Sequence, residues 1–373
     1  MFRPLFRGLA AAAFAASLTV PAWAQTLTVT DTENRSVEIP EAAERIVLGF
    51  YYEDFMAVAG PEGFDRVAAI SRAPWEGWRN LQWQTYVKAL PQIAELPDVG
   101  DTSDGTFSLE AVVSARPDLV LLASWQFGAL ADLVPRIEAA GIPVVVLDFN
   151  AQTVEKHVQS TRLLGRILGQ EERAERLAGE YEAAVTDVLD RIAAVPTEAR
   201  PRVYVELGRK GRDVVDNSYA GTQWGAVIDQ LGAENIANGQ IESWGPLSPE
   251  YVLSRNPQVI LLAGSGWMGQ DEAVLMGPGI DAALTHERMR PYLERPGWAD
   301  LAAVRDGQVY GLYHGGNRTL YDYAFLQYLA KALYPETFAD LEPQAALDRF
   351  FATYMPVQFE GTYMTRLPAG QDG

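Results

Sequence analysis

The sequence contains no cysteine and only three histidines among its 373 residues. The absence of cysteine excludes disulfides, thiolate metal sites and a lipid-modified cysteine. A site for bare zinc or manganese normally uses several converging histidines and carboxylates, so three dispersed histidines make such a site unexpected. Positive charge is also scarce, because 30 lysines and arginines oppose 49 acidic residues. Nucleic acid and anionic membrane surfaces are therefore not expected as partners.

The amino terminus has the composition of an export signal. Arg3 and Arg7 precede an apolar run over residues 9–20, and a small-residue cleavage site ends at Ala24. We predict that residues 1–24 are a cleaved signal peptide and that the mature protein is periplasmic. The apolar run is short for a membrane span, and a retained anchor is the alternative. Without Arg3 and Arg7, 28 basic and 49 acidic residues give the mature chain a net charge of −21.

An internal repeat divides the rest of the chain. Residues 107–123 and 247–263 align without a gap at an offset of 140 residues. Each copy has a serine that can cap a helix, a proline that ends it, and an apolar run typical of a buried parallel strand. The coinciding positions include Ser108/Ser248, Glu110/Glu250, Pro117/Pro257, Leu121/Leu261 and Ala123/Ala263. Since the chain is also long for one core, two domains are expected.

Short apolar runs alternate with segments that have room for helices. This alternation predicts mainly parallel sheets. A hairpin over residues 26–39 is predicted to open the mature chain. The predicted strands are 46–50, 67–70, 119–122 and 144–147, followed by 203–205, 259–262 and 309–312, and a helix is predicted over 321–333.

Residues 153–195, between the two repeats, carry apolar side chains at the helical intervals of three and four. Gly169 and Gln170 break this pattern into two legs. We therefore predict an α/β fold in which two similar lobes with mainly parallel sheets are joined by one long bridging α-helix within residues 153–195. The predicted lobes are residues 25–152 and 196–373.

Several motifs follow one another in a specific order along nearly the whole mature chain. They are Thr30-Asp31, Arg45-Ile46-Val47, the paired Ser-x-Glu helices, the strands after Pro117 and Pro257, and the bridging helix. In this order they resemble the periplasmic binding proteins for iron complexes and vitamin B12. The resemblance implies two lobes with a helical backbone between them, one ligand in the cleft, and delivery of that ligand to an ABC importer.

From this resemblance we predict a monomeric periplasmic receptor that is not an enzyme and has no cofactor of its own. The expected ligand is an iron(III)–siderophore complex. Haem and a corrinoid are the alternatives, because the same aromatic cleft would hold either. The expected protein partners are the transmembrane subunits of an ABC permease.

Candidate ligand-binding residues follow from the rule that ligands bind beyond the carboxyl ends of parallel strands. Aromatic rings suit a large conjugated or chelate ligand, and arginines suit its carboxylates or an anionic metal centre. Trp125 and Trp267 follow the repeated strand and are expected to face one another. The full set is Tyr51, Tyr52, Trp75, Trp78, Arg79 and Trp125 in the first lobe, and Arg209, Trp267, His314 and Arg318 in the second.

Several of these residues have an alternative explanation. Tryptophan is often buried for its area alone. Tyr51, Tyr52 or His314 would be iron ligands if the ligand is haem, and would otherwise pack or form ordinary hydrogen bonds. Because adjacent residues of an extended segment point in opposite directions, at most one tyrosine is expected to face the cleft. Glu206 is also expected there, where it would favour a cationic group on the ligand.

Two other classes of protein fit the motifs less well. Residues 264–269 have the spacing of a dinucleotide fingerprint, but Gly277-Pro278-Gly279 ends the segment before a long helix can form. We interpret these residues as a cleft loop. An exported hydrolase would need a serine or carboxylate nucleophile, yet Ser265 lacks a Gly-x-Ser-x-Gly elbow and His314 is the only conveniently placed base.

Glu110 and Glu250 have two possible roles. Glutamate in the first turn of a helix is stabilised by the helix dipole by about 0.3–1 kcal/mol. The resemblance implies a second role, because glutamates at this position in B12-binding relatives dock onto arginines of the two transmembrane subunits.

Replacing Glu110 and Glu250 together is expected to leave ligand affinity unchanged and to abolish uptake in cells. The physical reason is that docking needs a matched carboxylate on each lobe, whereas the cleft needs neither. Titration of the purified protein and a cellular uptake assay measure the two quantities separately. Normal uptake by the double variant would restrict both glutamates to helix stabilisation.

Overall fold

Two sheets of mainly parallel strands organise the protein, as seen in a computed structural model that describes residues 26–41, 43–60 and 62–369. The predicted signal peptide, residues 1–24, lies outside the described residues. Within the described part of the chain, no helix is both long enough and apolar enough to cross a membrane.

The N-terminal lobe contains a four-stranded parallel sheet with the strand order β4-β3-β5-β6. A separate antiparallel hairpin, β1 with β2, opens the lobe. The elements in chain order are β1 (Thr26–Thr30), β2 (Ser36–Pro40), β3 (Ile46–Leu48), α1 (Tyr52–Ala59), β4 (Val67–Ile70), α2 (Ala73–Glu76), α3 (Asn80–Ala89), α4 (Leu109–Ser114), β5 (Leu119–Ala123), α5 (Ser124–Ala129), α6 (Val134–Ala139) and β6 (Val144–Leu147).

Both faces of this sheet are buried, which explains why its strands are apolar without interruption. Leu119 and Leu121 of β5 belong to one core cluster, and Val120 and Leu122 belong to a second cluster on the opposite face. Successive side chains of a strand point to opposite faces, so a continuous apolar run covers both.

The segment between the lobes forms two helices, α7 (Val154–Leu168) and α8 (Glu171–Ala193). Thr153 caps the first, and Gly169 ends it in the left-handed region with φ 64°. The predicted break is therefore confirmed. The two helices run antiparallel side by side, since Arg162 bonds Glu175 and the His157 ring stacks on Tyr181.

The C-terminal lobe contains a five-stranded sheet with the order β15-β13-β11-β7-β9. All of its pairs are parallel except that of β15 with β13. The elements in chain order are β7 (Arg202–Leu207), β8 (Asn217–Tyr219), α9 (Gln223–Gln230), β9 (Glu234–Asn235), β10 (Trp244–Pro246), α10 (Pro249–Arg255), β11 (Val259–Gly264), β12 (Gly277–Pro278), α11 (Ala282–Leu293), α12 (Ala302–Arg305), β13 (Val309–Tyr313), α13 (Asp322–Leu333), α14 (Pro343–Tyr354), β14 (Gly361–Thr362) and β15 (Met364–Arg366).

The predicted fold class is confirmed: two α/β lobes with mainly parallel sheets are joined by a helical segment. The repeated sequence forms α4 with β5 in one lobe and α10 with β11 in the other. The division of the chain at residues 152/153 and 195/196 stays a prediction. One apolar cluster runs from Ile46 through Leu164 and Leu177 to Ile260, so the lobes share a core through α7 and α8.

A buried ion pair supports the C-terminal lobe. Both terminal nitrogens of Arg295 donate to the Glu206 carboxylate, at 2.6 and 2.9 Å. Arg295 also donates to the carbonyls of Gly211, Arg212 and Val214, so it holds the loop that follows β7. The expectation that Glu206 faces the cleft is wrong, because its side chain is fully buried against this arginine.

Replacing Arg295 with methionine is expected to reduce the free energy of unfolding by about 3–5 kcal/mol, because Glu206 would remain buried without its partner. Denaturant unfolding measures the change. The matched control is Arg212→Met, which removes the exposed pair with Glu294 and is expected to cost about 0–1 kcal/mol. Equal losses in the two variants would contradict the structural role of the buried pair.

Candidate functional site

The loops that follow the parallel strands of both lobes carry the predicted site residues. Tyr51 follows β3 and forms the N-cap of α1 with φ 58° and ψ 44°, a left-handed conformation that is uncommon for a non-glycine residue. Its hydroxyl donates to Asn150 Oδ1 at 2.9 Å. Burial and the nearby charge of Asp148 raise the pKa of Tyr51 well above its usual value, which opposes a tyrosinate ligand.

Tyr52 and Trp75 lie in the core of the N-terminal lobe. Their rings stack at 4.4 Å and 6°, and Trp75 is fully buried. The Tyr52 hydroxyl is bonded to the carbonyls of Gly49 and Ser71. The expectation that Tyr51 and Tyr52 lie on an extended segment is wrong, because Tyr51 has a left-handed conformation and Tyr52 is the first residue of α1. These contacts account for the packing of both rings and for the Tyr52 hydroxyl, whereas Trp75 Nε1 is buried without a hydrogen-bond partner in the described part of the chain.

Trp78, Trp125 and Arg79 form a second group together with Phe50. The Trp125 and Phe50 rings meet edge to face with their centroids 5.4 Å apart, and the centroid of the Trp78 ring lies 6.4 Å from that of Trp125. The Arg79 guanidinium lies 5.1 Å above the Phe50 ring. Trp78 is 37% exposed and Trp125 is partly exposed, so both present aromatic surface to solvent while their other faces pack.

His314 is the centre of the aromatic group in the C-terminal lobe. Its Nδ1 lies 3.1 Å from the Tyr219 hydroxyl. The Trp267 ring lies 6.1 Å and the Trp244 ring 6.5 Å from the imidazole. Trp267 and Trp125 thus each belong to the aromatic group of their own lobe, and their opposition across the cleft stays a prediction.

Positive charge from both lobes acts on His314. Burial comes first among the causes that hold its pKa well below the usual value, followed by the charges of Arg318 and Arg79. The imidazole is therefore neutral at neutral pH. Burial and the charge of Arg79 also lower the pKa of Arg318 to about 10. Arg79, from the N-terminal lobe, and Arg318, from the C-terminal lobe, thus act on the same region.

The cationic residues near the cleft differ in their partners. Arg209 and Lys210 both pair with the buried Asp216, at 3.3 Å each. Among the described residues, neither Arg79 nor Arg318 has an acidic partner within 4.0 Å. One guanidinium nitrogen of each is also buried without a hydrogen-bond acceptor in that part of the chain. Arg209 therefore has an acidic partner within 4.0 Å, whereas Arg79 and Arg318 have none at that distance in the described part of the chain.

The glycine-rich loop after β11 brings the lobes into contact. A β-carbon on Gly266 would lie 2.3 Å from the Leu81 side chain of α3, so a larger residue would force Leu81 of the opposite lobe to shift. No helix begins at Gly269, and the next helix is α11. This placement agrees with a cleft loop and not with a dinucleotide-binding turn.

The sequence analysis did not select Phe50, Tyr219 or Trp244. Phe50 was included in a predicted strand, which in fact ends at Leu48. Tyr219 and Trp244 lie on the short antiparallel strands β8 and β10, which are too short to produce a recognisable pattern. Their only sequence signal is that they are aromatic residues in the second lobe.

Glu110 and Glu250 are exposed in the first turns of α4 and α10. Ser108 accepts a hydrogen bond from the Ala111 amide, and Ser248 accepts one from the Tyr251 amide. The predicted serine caps are therefore present in both lobes. Docking of the two glutamates stays a prediction.

Two further features lie apart from this cluster. An open depression of about 850 Å³ between β1 and α7 contains none of the predicted site residues. In the part of the chain that the structure describes, no three histidine, aspartate or glutamate side chains are grouped as metal ligands would be.

Comparisons with known proteins agree on one family. The Periplasmic binding protein family model matches residues 68–314. The crystal structure of the TroA-like periplasmic binding protein FepB from Veillonella parvula has a TM-score of 0.87 and 32% identity, covering 91% of this chain and 99% of that one. The molybdate-binding protein MolA of Haemophilus influenzae is 22% identical over 358 residues, covering 89% of this chain and 92% of MolA.

The vitamin B12-binding protein of Pectobacterium atrosepticum is 27% identical over 188 residues, which are 49% of this chain and 62% of that protein. The two-lobe fold and the family match together define the solute-binding component of an importer. The chain belongs to the periplasmic binding protein family. Proteins of this family bind solutes for ABC importers, work with permease subunits and are not enzymes.

Replacing Trp125 or Trp267 with alanine is expected to weaken ligand binding at least several-fold and to leave folding intact, because each ring is partly exposed. Replacing Trp75 is the control: its loss from the core is expected to cost about 3–5 kcal/mol of stability. Calorimetric titration and thermal unfolding separate the two effects. Unchanged affinity in either cleft variant would remove that residue from the binding site.

Proposed function

We propose that this protein captures an anionic metal chelate, an iron(III)–siderophore complex, in the cleft and delivers it to the permease of an ABC importer. The family supports the role of receptor. The charge distribution around the cleft supports the anionic character of the ligand, and the aromatic groups of both lobes support a ligand with a large flat surface.

The observation that carries the proposal is the pair Arg79 and Arg318. Both Arg79 of the N-terminal lobe and Arg318 of the C-terminal lobe lack an acidic partner within 4.0 Å among the described residues. Desolvated guanidinium groups without acceptors are costly, and an anionic ligand would supply the missing acceptors. A charge-assisted hydrogen bond is worth about 1.5–3 kcal/mol. Each arginine would therefore contribute about ten- to one-hundred-fold to affinity.

Aromatic rings beside the arginines favour chelates over simple ions. Trp78 and Trp125 on one side, with Trp244 and Trp267 on the other, are at least partly exposed. Flat rings of this kind can pack on catecholate groups or on a conjugated macrocycle. Haem, whose propionates are anionic, is thus the nearest alternative, and a corrinoid uses the same aromatic surface with less need for two arginines.

An oxyanion is the second candidate. It is favoured by the similarity to MolA, a molybdate-binding protein, which extends over 89% of this chain. A tetrahedral dianion would also accept hydrogen bonds from two arginines. It would leave the large aromatic surface of the cleft unused, which is why the chelate is preferred here.

A tryptophan-fluorescence titration against ferric hydroxamate, catecholate and citrate chelates, haemin, cyanocobalamin and molybdate is expected to show saturable quenching at one equivalent by a ferric chelate. Inner-filter controls accompany each coloured ligand. Arg79→Met and Arg318→Met are each expected to weaken that binding about ten- to one-hundred-fold, because an ionic hydrogen bond is lost.

The matched control is Arg162→Met, which removes an exposed arginine on α7 that pairs with Glu175. Its affinity is expected to equal that of the wild type. If only molybdate or only cyanocobalamin saturates the protein, that compound and not a ferric chelate is the ligand. Wild-type affinity in both Arg79→Met and Arg318→Met would contradict the anionic cleft.

A further inference from the structure

Two adjacent carboxylates near the start of α1 make contacts that the proposed function does not use. Glu53 and Asp54 are 5% and 2% exposed and lie two and three residues after Tyr51. Burial raises the pKa of Glu53 and that of Asp54, the latter to about 8. Two neighbouring buried acids are costly to keep in a folded protein. Their hydrogen bonds show what the two side chains hold in place.

Glu53 connects the two lobes through a single carboxylate. Its Oε1 accepts a hydrogen bond from the Tyr86 hydroxyl at 2.7 Å, and its Oε2 accepts one from Tyr321 at 2.6 Å. Tyr86 lies on α3 and packs against Trp75 in the N-terminal lobe. Tyr321 packs against Phe350 and Phe351 of α14 in the C-terminal lobe. The hydrogen bond from Tyr86 thus lies within the N-terminal lobe, whereas the hydrogen bond from Tyr321 joins the two lobes.

Asp54 makes the neighbouring connection. Its Oδ1 accepts a hydrogen bond from the backbone amide of Leu320 at 2.7 Å. A third connection comes from Gln152, the residue before the bridging segment, whose side-chain amide donates to the Asn317 carbonyl. Residues 314–321, which we call the cleft segment, are therefore fastened to the opposite lobe at three points.

The cleft segment carries His314 and Arg318. Among the described residues, the Arg318 side chain makes no hydrogen bond of its own, so the path of its backbone decides where its guanidinium lies. Leu320, whose amide donates to Asp54, is two residues after Arg318 in the sequence. Tyr321, whose hydroxyl donates to Glu53, is three residues after it. In the N-terminal lobe, the acceptor Glu53 lies two residues after Tyr51, in the first turn of α1.

We propose that Glu53 and Asp54 are positioning residues, which hold the cleft segment against the start of α1 and thereby fix Arg318 and His314 relative to Tyr51 before the ligand arrives. A preset arrangement of this kind favours binding, because less ordering is required when the complex forms. The effect on affinity rests on the proposed function, whereas the positioning itself exists in the ligand-free protein.

The test compares Tyr321→Phe with Tyr86→Phe. Each change removes one hydroxyl from the same Glu53 carboxylate and keeps the ring, but only Tyr321→Phe cuts a connection between lobes. In the ligand-free protein, Tyr321→Phe is expected to speed amide hydrogen exchange in residues 314–321 about five-fold or more. Tyr86→Phe is expected to leave that exchange at the wild-type rate. A merely structural role would give similar changes in both.

A second comparison uses Asp54→Ala and Asp54→Asn. Alanine removes the acceptor for the Leu320 amide, whereas the asparagine carbonyl can still accept that bond. Asp54→Ala is therefore expected to speed exchange at Leu320 and to weaken binding of ferric tris-catecholate or haemin about ten-fold. Asp54→Asn is expected to keep both the exchange rate at Leu320 and the ligand affinity close to the wild-type values. Thermal unfolding of all four variants shows whether any of them loses its fold.

Wild-type exchange over residues 314–321 in both Tyr321→Phe and Asp54→Ala would overturn the positioning role, whatever the ligand is. Equal acceleration in Tyr321→Phe and Tyr86→Phe would also overturn it. If exchange changes as expected but the wild-type protein binds neither ferric tris-catecholate nor haemin, the proposed ligand is wrong and the positioning role stands.

Discussion

Parallel pairing of the central strands is the constraint on which the rest of the structure depends. Each parallel pair needs a crossover, so helices cover both faces of the sheet and the carboxyl ends of its strands meet at one edge. Tyr51 and Trp125, which follow different strands of one sheet, therefore both pack on Phe50, and His314 and Trp267 lie together in the other lobe. The chemistry of the cleft comes from loops, whereas its location is set by the sheets.

The arginines of the candidate site contrast with the charge of the whole protein. The sequence has a formal net charge of −19, yet Arg79 and Arg318 have no acidic partner within 4.0 Å in the described part of the chain. The charge available to a ligand therefore depends less on the number of basic residues than on which of them have an acidic partner. Asp216 neutralises Arg209, and Glu206 neutralises Arg295. Screening by salt weakens the distant repulsion more than the contacts inside a desolvated cleft.

Most of the fold could be predicted from periodicity and from the repeat, since both report the burial of strands and helices. The site could be predicted only as a list of loop residues. Trp75 and Trp125 have the same sequence signal, an aromatic residue after a strand, but Trp75 stacks on Tyr52 in the core. Their difference depends on the path of α2 and α3, which periodicity does not report.

The sequence also does not show which charged residues lie in the binding site. Glu206 stands at the end of a strand and satisfied the rule for cleft residues, but its partner Arg295 lies 89 positions away in the sequence. Glu53 and Asp54 were not selected at all, because an acidic pair in the first turn of a helix is ordinary. Their connections to Tyr321 and Leu320 exist only once both lobes are assembled.

The apolar core that continues through α7 and α8 has a consequence for the thermodynamics of binding. Wide separation of the lobes would expose part of this shared core to water, so we expect the accessible motion to be small. The heat-capacity change on ligand binding then reports mainly the apolar surface of the ligand and of the cleft aromatics, with little contribution from domain closure. For the same reason, the two lobes are expected to lose their structure in one cooperative thermal transition.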